Sequence, residues 1–322
     1  MKPQISVVVC AHNPRRDYLD RTLKALQAQT MPVERWELLL IDNASSPPIA
    51  EFADLAWHPN ARHLVEHRLG LSHVRLRAFD ETQSGAIIFV DDDNLFASDY
   101  LEQAVGLLDR EPKLGVAGGK LLPEFESPTD PRIPDALRYL PWRDLGDKEM
   151  THALDFNSPE ERSCSEFYPW GAGMVVRKAA MERYVGWATA DISSVISGRR
   201  GSDLTSGEDL EIVISALESG WKIGYFPQLQ LIHLMPDSRL TREYLGRYTF
   251  SVRKSNILVL HSHDMLPSGW SSIPAWTVVP RKIKAYFAER AWRGTINYVN
   301  WRGDCGAHEA RALNARRPSR RN

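Results

Sequence analysis

The segment AIIFVDDDNLF, residues 86–96, runs an apolar, β-branched stretch straight into three consecutive aspartates. Like charges this close repel one another, so stability alone gives no reason to collect them at the end of a hydrophobic strand. Two chemistries account for them. Mg²⁺ and Mn²⁺ prefer oxygen ligands, and Mg²⁺ is held by one or two carboxylates plus a substrate's phosphates. On that reading Asp91 and Asp93, two apart on an extended chain, point the same way and hold the ion, while Asp92 points elsewhere, toward a hydroxyl. The other chemistry is an acidic loop that caps the helix starting near Ser98. A second acidic motif, SGEDLE at 206–211, carries Glu208 and Asp209. Taken locally, it is adequately explained as acids in the first turn of a helix, where the dipole favours them.

The elements that would position these acids alternate. ISVVVC (5–10) reads as a buried strand, AHNPRR as a turn, and Leu19, Leu23 and Leu26 recur at helical spacing. WELLLID (36–42) is a second buried strand ending in the loop NASSPP, and RHLVEH is a short third. LGLSHVRLRAF is a helix with Ser72 as its N-cap, and AIIFV is the fourth strand. Asp99 and Glu102 stand in capping-box spacing before a helix carrying Leu101, Val105 and Leu108, and LGVAGG is a fifth short strand. This order over the first ~120 residues means βαβ units and a mostly parallel sheet. Such sheets bind ligands at the carboxyl ends of their strands. The polar tails AHN, DN and DDDN therefore converge on one edge, and the acidic cluster faces a ligand site.

Beyond that half, residues 120–169 lose periodicity and read as a long connection over the sheet, with a flap around PEFESPTDPRIPD. A strand at 174–176 and a helix follow within WGAGMVVRKAAMERYVGW, and DISSVISGRRGSDLTSG is a loop. EDLEIVISALESGWKIGYFP is a helix closed by Gly220 and then a strand, and a long helix runs from Thr241 to about His261. Residues 281–322 carry eleven Lys/Arg against three Asp/Glu, interleaved with Tyr286, Phe287, Trp292, Tyr298 and Trp301. That mixture suits either peripheral contact with an anionic membrane or a solvated helix followed by a disordered ARRPSRRN end.

With 322 residues, 43% of them hydrophobic, the chain can build one large α/β domain or two modest ones. A division into a ligand-binding half (1–119), a catalytic half of the same domain (120–240) and a helical, basic extension (241–322) fits the pattern. The net charge of −1 marks no polyanion binder, and no nucleic-acid motif is present. Cys10, Cys164 and Cys305 are odd in number and widely spaced, as expected in a reducing compartment. The N-terminal apolar run is too short for a signal peptide, and no stretch reaches the roughly 18 apolar residues of a spanning helix. These features predict a cytoplasmic protein, with peripheral membrane contact as an option.

ISVVVCAHN, LLLIDNAS, LGLSHVRLRAF, IIFVDDDN, WGAGMVVRK and SGEDLEIVISALESGWKIGYFP occur in this order at βαβ spacing. The set resembles the family 2 glycosyltransferases over residues 4–226, and less specifically to about 247. The resemblance implies the GT-A fold, a Rossmann-like, mostly parallel sheet flanked by helices, with a nucleotide-diphosphate sugar as donor. It implies that Ala11 and Asn13 border the nucleotide and that Asp42, with Asn43 beside it, faces the base. Gly70 and Arg75 match the nucleotide-binding loop and helix, and Asp92 lies near the ribose. Asp93 first and Asp91 second would hold Mn²⁺ or Mg²⁺, with His233 completing the metal site and Arg239 reaching the diphosphate. A metal bridging two phosphates offsets the charge of the leaving diphosphate. Asp209 matches the base that takes the acceptor's proton in an inverting transfer, and Glu208 orients or contacts the acceptor. The WGAG segment (Trp170, Gly171, Ala172, Gly173) would pass beside the acceptor and the transferred sugar, with Trp170 available for stacking.

The Gln-x-x-Arg-Trp motif of the processive polymer synthases is absent, as are their spanning helices. The implied reaction therefore transfers one sugar at a time. The resemblance implies UDP as the commonest nucleotide, with GDP and dTDP open, and a glycan, lipid-linked or other hydroxyl acceptor, by default in bacterial surface-glycan synthesis. Two other readings compete. A sugar-phosphate nucleotidyltransferase normally has a glycine-rich, basic segment after the first strand, whereas AHNPRRDYLD contains no glycine. A nucleotide-binding relative without turnover is the non-enzymatic reading.

Overall fold

The computed structural model describes residues 2–128, 134–154, 166–190, 204–267 and 269–314. Cys164, most of the expected 191–207 loop, part of the expected 120–169 flap and the closing ARRPSRRN lie outside the described residues.

Strands β1 (Ile5–Ala11) and β2 (Trp36–Asp42) are buried at every position. Their apolar cores, 7–11 and 38–41, suit parallel strands covered on both faces, and the buried polar pair between them is satisfied by the Ser6 hydroxyl donating to Glu37. β1 pairs in parallel with β2 and with β4 (Ala86–Asp91), and β2 with β3 (Ala61–Val65). Helices α1 (Arg16–Gln27) and α2 (Leu71–Glu81) make the crossovers. The register sets Ala11 opposite Asp42 and Cys10 opposite Asp91, so the carboxyl ends of the three central strands lie level.

Among the described residues the sheet continues through β5 (Asn94–Phe96), β6 (Leu114–Phe125), β7 (Met150–His152), β8 (Val175–Arg177) and β9 (Lys222–Met235). The order is β3-β2-β1-β4-β8-β6-β9-β5, with β7 also paired to β9. β8 runs antiparallel to both β4 and β6, which makes the sheet mixed but mostly parallel. Alternate residues feed two cores. Val7, Val9, Leu38 and Ile88 pack with Leu19 and Leu23 of α1 and Leu101 of α3 (Tyr100–Arg110). Val8, Leu39 and Phe89 pack with Met181 and Tyr184 of α4 (Lys178–Ala190) and Ile212 of α5 (Glu208–Glu218).

Three local expectations need correction. Ser72 lies inside α2, and Gly70, at φ +133°, opens it instead. The capping box does not form: Asp99 accepts from the Gln103 amide at 3.0 Å, and Glu102 accepts from the Thr30 hydroxyl at 2.7 Å. The fifth strand is twelve residues long and runs through the 119/120 division. Its second part is hidden in sequence by a register shift between Gly118 and Lys120. At that bulge a Cβ on Gly119 would sit 2.0 Å from the Leu229 carbonyl oxygen, so only glycine fits. Gly220 does close α5, at φ +81°.

The C-terminal region is helical: α6 (Arg242–Ser262), α7 (Val278–Ala288) and α8 (Thr295–Asn314). Thr241 caps α6 by accepting from the Tyr244 N–H at 3.2 Å. α8 lies directly on α6, where a Cβ on Gly306 would come within 2.2 Å of the Phe250 carbonyl oxygen. Leu140, Met235, Leu245 and Val299 tie these helices to the sheet, and the Tyr139 hydroxyl donates to Asn300. We expect Gly306→Ala to cost about 1–3 kcal/mol in urea unfolding, because backbone and not a flexible side chain must yield. Gly106→Ala in α3, with nothing within 4 Å of the added carbon, serves as the control and should gain up to ~1 kcal/mol.

Candidate active site

A cavity of about 930 Å³ opens where the ends of β1, β2 and β4 lie level. Its lining includes Ala11, Asn13, Asn43 and Arg75 on one side and Asp91, Asp92, Asp93, His233 and Arg239 on another. Trp170, Gly171, Ala172, Glu208 and Asp209 complete the set brought together. Asp42, Gly70 and Gly173 are expected site residues that do not line it.

The loops on the β1–β2 side are stitched by side-chain amides. Asn43 donates to the carbonyls of Glu66 and Arg68 at 2.9 and 2.8 Å, and accepts from the Gly70 N–H at 2.8 Å. Asn13, at φ +48°, receives a bond from Ser46 N–H and gives its own N–H to the Ser45 hydroxyl. Asp42 was expected to face a base. Its carboxylate is turned into its own loop, with one oxygen on Ser45 N–H at 2.7 Å and the other on Ile49 N–H at 2.9 Å. A buried carboxylate takes the N–H donors a tight loop offers, and Asn43 and His12 are left facing the cavity at this corner. Gly70 serves the start of α2.

The acidic cluster departs from strand alternation. β4 ends at Asp91, and Asp92 and Asp93 turn the chain into β5, which sets Asn94 opposite His233 on β9. The two-residue spacing of Asp91 and Asp93 therefore does not put them on one face of a strand. Asp93 is buried, with one oxygen 2.9 Å from Arg239 Nη2 and 3.3 Å from His233 Nε2. Arg239 Nη1 also lies 3.0 Å from His233 Nε2. His233 Nδ1 is 3.0 Å from the Pro141 carbonyl, which can only accept. Nδ1 therefore donates to that carbonyl, and Nε2 accepts from the Arg239 guanidinium, which can only donate. Burial, then repulsion from Asp93 and Asp91, pushes the Asp92 carboxyl up to about 8. Carboxylates and an imidazole are donor types that Mn²⁺ or Mg²⁺ accepts, but here Arg239 holds both Asp93 Oδ2 and His233 Nε2, so an ion binding at these two residues would have to displace the guanidinium. Among the described residues no group of three His, Cys, Asp or Glu converges as metal ligands, so phosphate oxygens and water would supply other positions.

Asp209, which also lines the cavity, sits in the first turn of α5. One oxygen accepts from Leu210 N–H at 2.8 Å and the other from Gly171 N–H at 3.0 Å. Glu208 was expected at the acceptor and Arg75 at the nucleotide. The structure pairs them with each other, 3.4 Å apart and both buried, in the floor of the cavity. The second Glu208 oxygen accepts from Gly207 N–H. A Cβ on Gly171 would lie 2.3 Å from Arg75 Nη2, so this guanidinium props the WGAG backbone that holds Asp209. Gly173, at φ +70°, keeps the same segment in shape, and its carbonyl accepts from the Tyr100 hydroxyl.

Several lining residues carry no motif. Arg143 lies 4.6 Å over the Trp170 ring, covers one of its faces, and donates to the Tyr168 carbonyl at 2.7 Å. Burial pushes its guanidinium down to about 10. Arg138, Tyr139 and Trp142 join it from a segment whose only sequence signal is arginine alternating with aromatics, LRYLPWR. Tyr248, Val252 and Asn256 of α6 also line the cavity. Their spacing of four is a helix face that periodicity could have revealed.

A family model described as Glycosyl transferase family 2 matches residues 6–184. The putative teichuronic acid biosynthesis glycosyltransferase TuaG of Bacillus subtilis (strain 168) is 26% identical over 144 residues. That match takes in 43% of this chain and 56% of TuaG, little more than half the relative's length. The crystal structure of S. aureus TarS 1–349 superposes with a TM-score of 0.51 at 13% identity, over 97% of this chain and 91% of that one. The same TarS fragment in complex with UDP superposes with a TM-score of 0.50 at 14% identity, with the same coverage. These similarities to TarS are similarities of fold.

Proposed function

The chain belongs to glycosyl transferase family 2, and from that premise we propose a metal-dependent, inverting transfer of one sugar from a UDP-sugar to a hydroxyl of a bacterial surface glycan. One observation carries this reading: the Asp209 carboxylate, fixed by the Gly171 N–H, faces the same cavity as the aspartates at the end of β4. A base and a group of carboxylates able to hold a charge-neutralising cation, both lining one cavity, are what displacement of a diphosphate by a hydroxyl requires.

The donor diphosphate would lie against Asp91–Asp93 and the nucleotide against Ala11–Asn13 and Asn43. Asp93 and His233, with Asp91, are the residues that would hold Mn²⁺ or Mg²⁺. When bound, the ion neutralises charge on the leaving diphosphate. Asp209 takes the proton of the acceptor hydroxyl as its oxygen bonds to the anomeric carbon. The bond to the diphosphate oxygen breaks on the far side, its electron pair leaves with the nucleotide, and the anomeric configuration inverts. Arg75 positions Asp209 through Gly171, and Trp170, which lines the cavity, would lie beside the sugar. TuaG, named for teichuronic acid biosynthesis, supports a surface-glycan acceptor. The TarS complex with UDP makes UDP the first nucleotide to test.

Calorimetry of UDP, GDP and dTDP, each with and without Mn²⁺, tests the donor site. UDP is expected to bind at least about tenfold more tightly with Mn²⁺, and Asp93→Ala should abolish that gain. No binding of any of the three under either condition would remove the donor reading.

A further inference from the structure

Helix α7 buries none of its residues. Its inner side is fastened to α8: Lys282 pairs with Glu309 at 2.5 Å, and the Trp301 indole N–H donates to the Lys282 carbonyl at 2.9 Å. Its outer side carries Val279, Ile283 and Phe287, each more than half exposed. Trp276, 79% exposed, precedes them in line, and Trp292 extends the patch beyond the helix end. Spacings of three and four make this one continuous stripe, and a monomer surface rarely leaves so much large apolar area together in water. Exposed Arg281, Lys284, Arg290 and Arg293 surround the stripe, and Glu289 is the one acid between 276 and 293. Residues 315–322 add Arg316, Arg317, Arg320 and Arg321 with no acid.

We propose that the outer face of α7 docks on an anionic lipid surface, with Trp276, Ile283, Phe287 and Trp292 among the acyl-chain ends and the arginines and lysine at the headgroups. Apolar aromatics on one face with cations around them is the pattern of a helix lying in a membrane interface. The charge distinguishes this occupant from a second copy of the chain. A two-fold contact would bring the same patch to itself and set these cations against their own duplicates. No helix among the described residues is long and apolar enough to cross a membrane, so the contact is interfacial. The sequence placed the membrane contact in the basic tail as a whole, and the structure concentrates its apolar part in α7 and the residues beside it. The proposal goes beyond the sugar-transfer reading and does not depend on it. It has a consequence for that reading all the same, because Tyr139 of the cavity wall is bonded to Asn300 of α8, the helix on which α7 rests. Lipid would then lie one helix layer from the cavity, within reach of an acceptor carried on a membrane anchor.

Co-sedimentation of the full chain with vesicles tests this without turnover. The wild type should pellet with phosphatidylcholine vesicles containing phosphatidylglycerol, release with added salt, and stay in solution with phosphatidylcholine alone. A Val279→Ser/Ile283→Ser/Phe287→Ser variant and an Arg281→Gln/Lys284→Gln/Arg293→Gln variant should each lose at least tenfold in partitioning. Both should keep the wild-type circular dichroism spectrum and unfolding midpoint, since every altered side chain is exposed. Wild type that ignores both vesicles, or a serine variant that partitions like wild type, overturns the proposal. So does a wild-type dimer that the serine variant converts to monomer with no vesicle binding, which would assign the face to a second copy.

Discussion

Asp209→Asn is expected to lower sugar transfer by about 10²–10⁴-fold, the usual contribution of a positioned general base, while UDP affinity stays within about twofold of wild type. The substitution keeps the size of the side chain but cannot accept a proton. The carboxamide oxygen can keep one of the two N–H groups, Gly171 or Leu210, as a donor, while the other loses its acceptor, which is why UDP affinity is read alongside turnover. A UDP-release assay with saturating donor and acceptor reads the first effect, and calorimetry with UDP reads the second. Loss of both together would mean that Asp209 mainly holds the cavity in shape. Full turnover by the variant would remove it as the base.

The largest effect on stability should come from Arg75→Met. The guanidinium is buried opposite a buried Glu208, and truncating one partner of such a pair leaves an uncompensated charge, at a cost of about 3–5 kcal/mol. Urea unfolding at neutral pH measures this. Arg75→Met combined with Glu208→Gln should recover more than half of the loss, because neither remaining group then carries a buried charge. A single variant less than about 1 kcal/mol below wild type would mean that water reaches the pair. Because Arg75 props Gly171, the single variant should also transfer sugar more slowly than its residual folded fraction explains.

How far the sequence could be read depended on whether a residue's environment is local. Residues 7–11, 38–41 and 86–90 are apolar runs between strong breakers, which leaves little choice but buried parallel strands. Their polar ends had to meet once the strands paired in register. What failed depended on partners distant in the chain. β5 has three residues and exists because β9 runs beside it. The second part of β6 was concealed by the glycines that let β9 approach. Alternation misplaced the aspartates because the strand ends at Asp91, and nothing local marks that end. Family resemblance brought Asp42, Gly70 and Gly173 to the right neighbourhood. It could not say that Asp42 would satisfy its own loop, a matter of side-chain rotation. Arg75 lies on α2 and Glu208 on α5, and only the tertiary structure shows them as a pair. The cavity wall supplied by α6 and by LRYLPWR follows from packing that no motif records.

The amide of Asn43 has a consequence for how this corner of the protein can be inherited or engineered. It fastens the turn after β2 to the peptide leading into α2, and the neighbouring Ser45 and Ser46 fasten that turn to Asn13. The segments 11–15, 42–49 and 66–70 are therefore a single interchangeable cassette. On the proposed donor reading, a swap of nucleotide preference would have to carry all three together, since a lone transplanted loop would arrive without the partners that give it its shape.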